Sequence, residues 1–176
     1  MSTKLKIAAA VAAAVLLSAC SSPKHEPMPL VKFTPSMEVT EVWSKGLSSA
    51  EGFLVPAVYD DMVFAAGGKT LTRLNARTGE TEWSVSFNSP ITGGVGSDGY
   101  VTAVGLWDGN LEVVDAEGKV SWEKKLTTEL ASPPVVSHGL VIARTMDTRV
   151  SAFEASSGEL QWTYQRSQPA LTVRLP

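Results

Sequence analysis

Apolar and polar residues alternate in short runs along most of the chain, and the runs come back at regular distances. Val63 and Ala65, Val101 and Ala103, and Val141 and Ala143 form three such runs. Their period of two is that of a strand with one buried face. A tight turn precedes each: Asp60-Asp61, Ser97-Asp98-Gly99 and Ser137-His138-Gly139. After residue 20 no stretch carries the 3.6-residue period of a helix. In the first copy the pattern predicts strands near 54–59, 62–67, 70–75 and 81–87, separated by Asp-, Gly- and Asn-rich turns.

Tryptophans mark the repeat. Trp43, Trp83, Trp122 and Trp162 stand 40, 39 and 40 residues apart. The segments 74–83, 113–122 and 153–162 each run through a polar residue (Asn75, Asp115, Glu154), an alanine (Ala76, Ala116, Ala155) and a glycine (Gly79, Gly118, Gly158) to the tryptophan. The middle copy is one residue shorter at the turn. Four strands every forty residues or so predict an all-β fold, a β-propeller with four-stranded blades. An isolated blade cannot bury both faces, so blades must stack. Trp83, Trp122 and Trp162 are expected to dock on neighbouring blades. Trp107 lies off the period, beside the Asp108-Gly109 turn, and is expected to be exposed. About three blades are present, plus Trp43 on a strand that would close another blade. Three blades cannot close a ring, so the chain is expected to be the N-terminal fragment of a larger propeller.

Two glycine patterns invite other readings. Gly94-Val95-Gly96-Ser97-Asp98-Gly99 fits the dinucleotide fingerprint G-x-G-x-x-G. That fingerprint needs a helix after its glycines, whose N-terminus faces the pyrophosphate. Here Tyr100 to Val104 alternates as a strand, and Gly99 falls at a hairpin turn. Gly93, Gly94 and Gly96 belong to the blade's first strand, where space is tight. Gly67-Gly68-Lys69-Thr70 resembles the end of a phosphate loop, but position 63, where that loop needs glycine, is Val. It reads as a strand connection.

The beginning of the chain has a different character. Lys4 and Lys6 precede an 11-residue apolar run, Ile7 to Leu17. Spanning a bilayer takes about 20 residues, so this run suits the core of a secretory signal. Leu17-Ser18-Ala19-Cys20 follows and resembles a bacterial lipobox, which implies cleavage after residue 19 and acylation of Cys20. Ser21, where Asp would signal retention at the inner membrane, points to the outer membrane. Residues 20–37 are proline-rich and read as a lipidated tether, leaving 38–176 for the partial propeller.

Of the 176 residues, 44% are hydrophobic and 19% charged, with a formal net charge of −3. No clustered Lys and Arg suggest a nucleic-acid surface. Cys20 is the only cysteine, so no internal disulfide forms, and His25 and His138 lack metal-ligand spacing. Asp60, Asp98, Asp108, Asp115 and Asp147 fall at turns, where local hydrogen bonding accounts for them. No catalytic, cofactor-binding or metal site is expected, and no small-molecule substrate.

The glycine-turn-to-tryptophan element resembles the docking repeat of quinoprotein-like propellers. Within that group the lipobox, the proline-containing tether, Phe33-Thr34-Pro35 with Val42-Trp43-Ser44, and the repeats resemble the BamB family, lipoproteins of the outer-membrane β-barrel assembly machinery. The resemblance implies a non-enzymatic scaffold of eight blades, lipid-anchored in the outer membrane and facing the periplasm. It also implies a partner, the periplasmic POTRA domains of BamA. Ala170 to Arg174 is similar to a family loop of pattern Leu-x-Leu-Arg that helps bind that partner. This points to Leu171, Val173 and Arg174 as contact residues, with Val173 replacing the second leucine. The alternative is a fragment of a periplasmic dehydrogenase that uses pyrroloquinoline quinone. That group typically carries a vicinal disulfide, which one cysteine cannot form. If Cys20 is the lipidated residue, Cys20→Ala abolishes acyl labelling and releases the protein from membranes. Unchanged labelling would refute the lipobox reading.

Overall fold

Twelve strands among the described residues account for the period-two segments. The computed structural model describes residues 28–31, 33–34, 36–48 and 54–166. These fall into two units divided after Val39. The first contributes no strand or helix among its described residues, and Met28, Leu30, Phe33 and Met37 are exposed there.

The second unit holds three four-stranded antiparallel sheets, each meandering in chain order. The first blade is β1 (Ala57–Tyr59), β2 (Met62–Gly67), β3 (Thr70–Asn75) and β4 (Thr81–Ser86). The second is β5 (Ile91–Ser97), β6 (Thr102–Leu106), β7 (Asn110–Val114) and β8 (Val120–Lys125). The third is β9 (Val135–Ser137), β10 (Leu140–Arg144), β11 (Arg149–Glu154) and β12 (Leu160–Gln165). The first strand starts at Ala57 rather than 54; Pro56 just before it has no N–H to give a ladder. The register of the outer pair slips at the same place in every blade, between Arg73 and Leu74, Val113 and Val114, and Ala152 and Phe153.

Alternation decides what each face buries. β1 and β2 pack against β5, and β5 and β6 against β9, so the first strands of successive blades lie together. One core fills the first seam, with Phe64, Leu71, Phe87, Val104 and Val114 buried. A second fills the next seam, with Leu111, Val113, Val136, Val141 and Phe153 buried. Burying such a side chain contributes about 1.5–3 kcal/mol relative to leaving it in water.

The tryptophans connect the blades. The Trp43 indole Nε1–H donates to the Ala76 carbonyl at 2.9 Å, Trp83 to Ala116 at 2.9 Å and Trp122 to Ala155 at 2.8 Å. Each acceptor lies 33 residues after its donor. The ring rests on the glycine that follows the acceptor. A Cβ added to Gly79, Gly118 or Gly158 would come within 2.6, 2.8 or 2.7 Å of the Trp43, Trp83 or Trp122 ring. All three glycines have φ between +70° and +85°, a region where an L side chain is strained. Only glycine meets both conditions without adjustment. The polar residue opening each turn also has local work: Asn75 Oδ1 accepts from the Arg77 and Thr78 amides, and Asp115 Oδ1 from those of Glu117 and Lys119.

Two expectations change in detail. Trp43 docks as the others do, yet residues 38–48 form no strand, because no sheet edge among the described residues pairs with them. Trp162 occupies the repeat position but is 43% exposed, and its indole has no hydrogen bond among the described residues. The glycines of β5 behave as the sequence suggests: a Cβ on Gly93 would press on Leu130, and one on Gly96 would overlap the Pro134 carbonyl. Gly68 and Lys69 form the β2–β3 turn.

The docking geometry separates the tryptophans energetically. Trp122→Ala should destabilise the fold by about 3–5 kcal/mol, the cost of truncating a packed aromatic. Trp162→Ala should cost about 1 kcal/mol or less, as at exposed positions. Urea unfolding of the two variants measures the difference.

Candidate functional site

Antiparallel strands put alternate connections on opposite rims. One rim carries the docking turns after β3, β7 and β11. The other carries the β2–β3 turn, the β6–β7 turn (107–109), the β10–β11 turn (146–148) and the passages between blades. On this second rim the passages are tied to the turns by backbone bonds. The Phe87 amide donates to Lys69 O at 2.9 Å, that of Trp107 to Pro90 O at 2.8 Å, that of Leu126 to Gly109 O at 3.0 Å and that of Met146 to Glu129 O at 3.0 Å. Lysines add to this. Lys69 Nζ donates to Asn88 O at 2.8 Å, and Lys125 Nζ donates to Asp108 O.

With the backbone fixed, two large apolar side chains at the turn tips are left in solvent. Trp107 is 59% exposed and Met146 67%. They occupy equivalent repeat positions at the tips of neighbouring turns. Beside Met146, Asp147 is held below the usual carboxylate range, first by the Thr145 hydroxyl at 2.5 Å and further by Thr127 and Arg149. Among the described residues no group of three or more His, Cys, Asp or Glu is placed to hold a metal. An aromatic ring, a thioether and fixed charges on a braced rim suit contact with another macromolecule.

The chain leaves the third blade at this same rim. β12 ends at Gln165, paired with Arg149 just after the 146–148 turn. Arg149 Nη2 donates to Gln165 Oε1 at 3.1 Å. Leu171, Val173 and Arg174 follow, and they lie outside the described residues, as does Cys20.

A family model for outer membrane protein assembly factor BamB matches residues 39–91 and 67–176. The chain belongs to the BamB family. A relative so named from Burkholderia pseudomallei is 37% identical over 172 residues, covering 95% of this chain and 45% of its own length. The chain therefore spans less than half of that relative. The crystal structure of BamB from Moraxella catarrhalis superposes with a TM-score of 0.58 at 27% identity, over 69% of this chain and 37% of that one. A quinohemoprotein alcohol dehydrogenase from Comamonas testosteroni superposes with a TM-score of 0.55 at 22% identity, over 66% of this chain and 21% of that one. That likeness is one of fold, a partial β-propeller.

This BamB-family chain carries one polar feature that the repeat pattern does not announce. On the outer pair of each blade a polar residue of the third strand faces one of the fourth. In blade one Ser84 Oγ donates to Thr72 Oγ1 at 3.1 Å, and in blade three Ser151 and Thr163 share a bond of 3.0 Å. In blade two the pair is Glu112 and Glu123, directly opposite in the register. Glu112 is only 8% exposed. Burial raises its pKa, and the charge of Glu123, a hydrogen bond with it and the charge of Asp108 add in the same direction. The alternation of Asn110–Val114 contained the signal, a carboxylate where the other copies have Thr72 and Ser151.

Folding thus favours protonated Glu112 over ionised Glu112. Its stabilising contribution is complete below the ordinary glutamate value of about 4.3 and is lost as pH rises through the raised folded value. Wild type should therefore lose stability relative to Glu112→Gln as pH increases from about 4.3 to neutrality. Urea midpoints measured across that range check this; parallel curves would contradict it.

Proposed function

We propose that this chain supplies blades of a non-enzymatic scaffold lipoprotein of the outer-membrane β-barrel assembly complex. It is anchored through lipid on Cys20, faces the periplasm and binds the POTRA domains of BamA, assisting assembly and insertion of outer-membrane proteins. Residues 1–19 act as the signal peptide and 20–37 as the tether. The observation that carries the reading is the match to outer membrane protein assembly factors along residues 39–176. Two features support it. The rim at which β12 ends has its backbone braced by hydrogen bonds and its apolar side chains free. The segment that follows β12 carries two apolar residues two apart and an arginine.

Leu171 and Val173 project to one side if that segment is extended. The planar guanidinium of Arg174 then meets a carboxylate or a backbone acceptor on the partner. Trp107 and Met146 continue the same rim and extend the contact. In a complete propeller carrying this segment, Arg174→Ala should weaken POTRA binding by about 2 kcal/mol with the fold intact, as for an interface hot spot. Calorimetric titration with isolated POTRA domains measures it. Unaltered binding, or binding lost together with the fold, would return Leu171, Val173 and Arg174 to a structural role.

A further inference from the structure

The two seams between blades use equivalent positions with different side chains. Into the first seam β4 and its exit send Trp83, Val85 and Phe87, and the second blade answers with Glu112 and Glu123. Into the second seam β8 and its exit send Trp122, Lys124 and Leu126, and the third blade answers with Ser151 and Thr163. Phenylalanine has become leucine on one side, and two glutamates have become two short hydroxyl residues on the other. Less volume reaches the middle of the second seam, and a cavity of about 330 Å³ remains, at the small end of ligand pockets.

Its walls have a definite chemistry. Leu126, Phe153 and Leu160 supply apolar surface, while Lys124, Lys125 and Arg149 supply positive charge. Among the described residues no carboxylate lines it. Ser151 and Thr163 satisfy each other. Arg149 spends Nη2 on Gln165, and its Nε lies 3.8 Å from Asp147 Oδ2, too far for a hydrogen bond. That Nε is buried and, apart from this long ion pair, has no hydrogen-bond partner among the described residues. A buried donor left unpaired is costly and marks a place where an acceptor is wanted. The corresponding cavity at the first blade, against Lys45, is about 250 Å³ and lined by Thr70, Thr72, Thr81 and Ser84, with no arginine or aromatic wall among the described residues.

We propose that the seam between the second and third blades binds a small carboxylate with a compact apolar tail. The carboxylate sits between Lys124 and Arg149, whose planar guanidinium matches two carboxylate oxygens. The tail lies against Leu126, Phe153 and Leu160. Because the cavity is bounded by two blades, the ligand bridges them and stabilises their contact.

Octanoate is the probe, and 1-octanol, of the same chain length and uncharged, is its control. Calorimetric titration of the full chain should show one octanoate site with a dissociation constant below about 1 mM and octanol weaker by about tenfold or more. Arg149→Gln should weaken octanoate by about tenfold and leave octanol unchanged. Lys124→Val with Leu126→Phe moves both residues toward the first seam and should remove octanoate binding. Arg149→Gln, which removes charge without refilling the core, decides the matter if that double variant fails to fold. Absence of octanoate binding, equal binding of octanol, or octanoate binding unchanged in Arg149→Gln would each overturn the proposal.

Discussion

An indole N–H aimed at one carbonyl of the next blade sets the spacing of the whole chain. A four-stranded sheet with apolar side chains on both faces must be covered twice, and the tryptophan of the fourth strand supplies a large part of the cover. Its ring can be buried only if the single N–H finds an acceptor. The alanine carbonyl at the start of the next docking turn provides it, 33 residues on in each instance. The tryptophans themselves are not equally spaced, since the second copy lacks one turn residue. That residue is missing between Ala116 and Trp122, after one acceptor and before the next donor. The deletion therefore shortens the turn and leaves both donor–acceptor separations unchanged. Spacing is kept where two blades must meet and relaxed where they need not.

The same contact restricts its surroundings unevenly. Under the ring, glycine is required by both close approach and positive φ. Beside it, in the second blade, the Ala116 carbonyl also accepts from Arg73 Nη1 at 3.0 Å, so a charged side chain of the first blade joins the docking turn. Two residues beyond each tryptophan the demand loosens. Val85 and Lys124 hold equivalent places, as do Phe87 and Leu126, and both seams are still held by residues of the inner strands, Ile91 and Val95 in the first and Val136 and Val141 in the second. Outer seam positions are thus free to carry a buried glutamate in one blade and a cavity in the next.

Much of this was legible from residue order. Strands 62–67 and 70–75 match the alternation to the residue, because tight turns bound them on both sides. The docking turns were legible because glycine, alanine and tryptophan recur in fixed order. The GVGSDG fingerprint was separable from a nucleotide turn because a strand follows it, here β6. What escaped depends on pairs from different blades. Glu112 looks like an ordinary solvent-facing strand residue until β8 sets Glu123 opposite it. Lys124 looks like a surface lysine until its neighbours across the seam prove to be Ser151 and Thr163. Trp107 was readable as exposed, since it lies off the tryptophan period. Met146 was not, although the repeat puts it at the same turn tip. Cys20, Leu171, Val173 and Arg174 lie outside the described residues, and the sequence remains their support.

The two rims of the blades divide structural and surface roles. The rim holding Gly79, Gly118 and Gly158 is engaged by the preceding tryptophans, so a changed side chain there disturbs a seam. The opposite rim meets its structural needs through main-chain bonds, from the amides of Phe87, Trp107, Leu126 and Met146 to carbonyls of neighbouring connections. Main-chain bonds are indifferent to side-chain identity. The tips at Trp107 and Met146 can therefore vary without cost to docking, and both are large apolar groups left in water. A protein whose fold is secured from one rim can present a partner surface on the other, and β12 delivers the chain to that second rim.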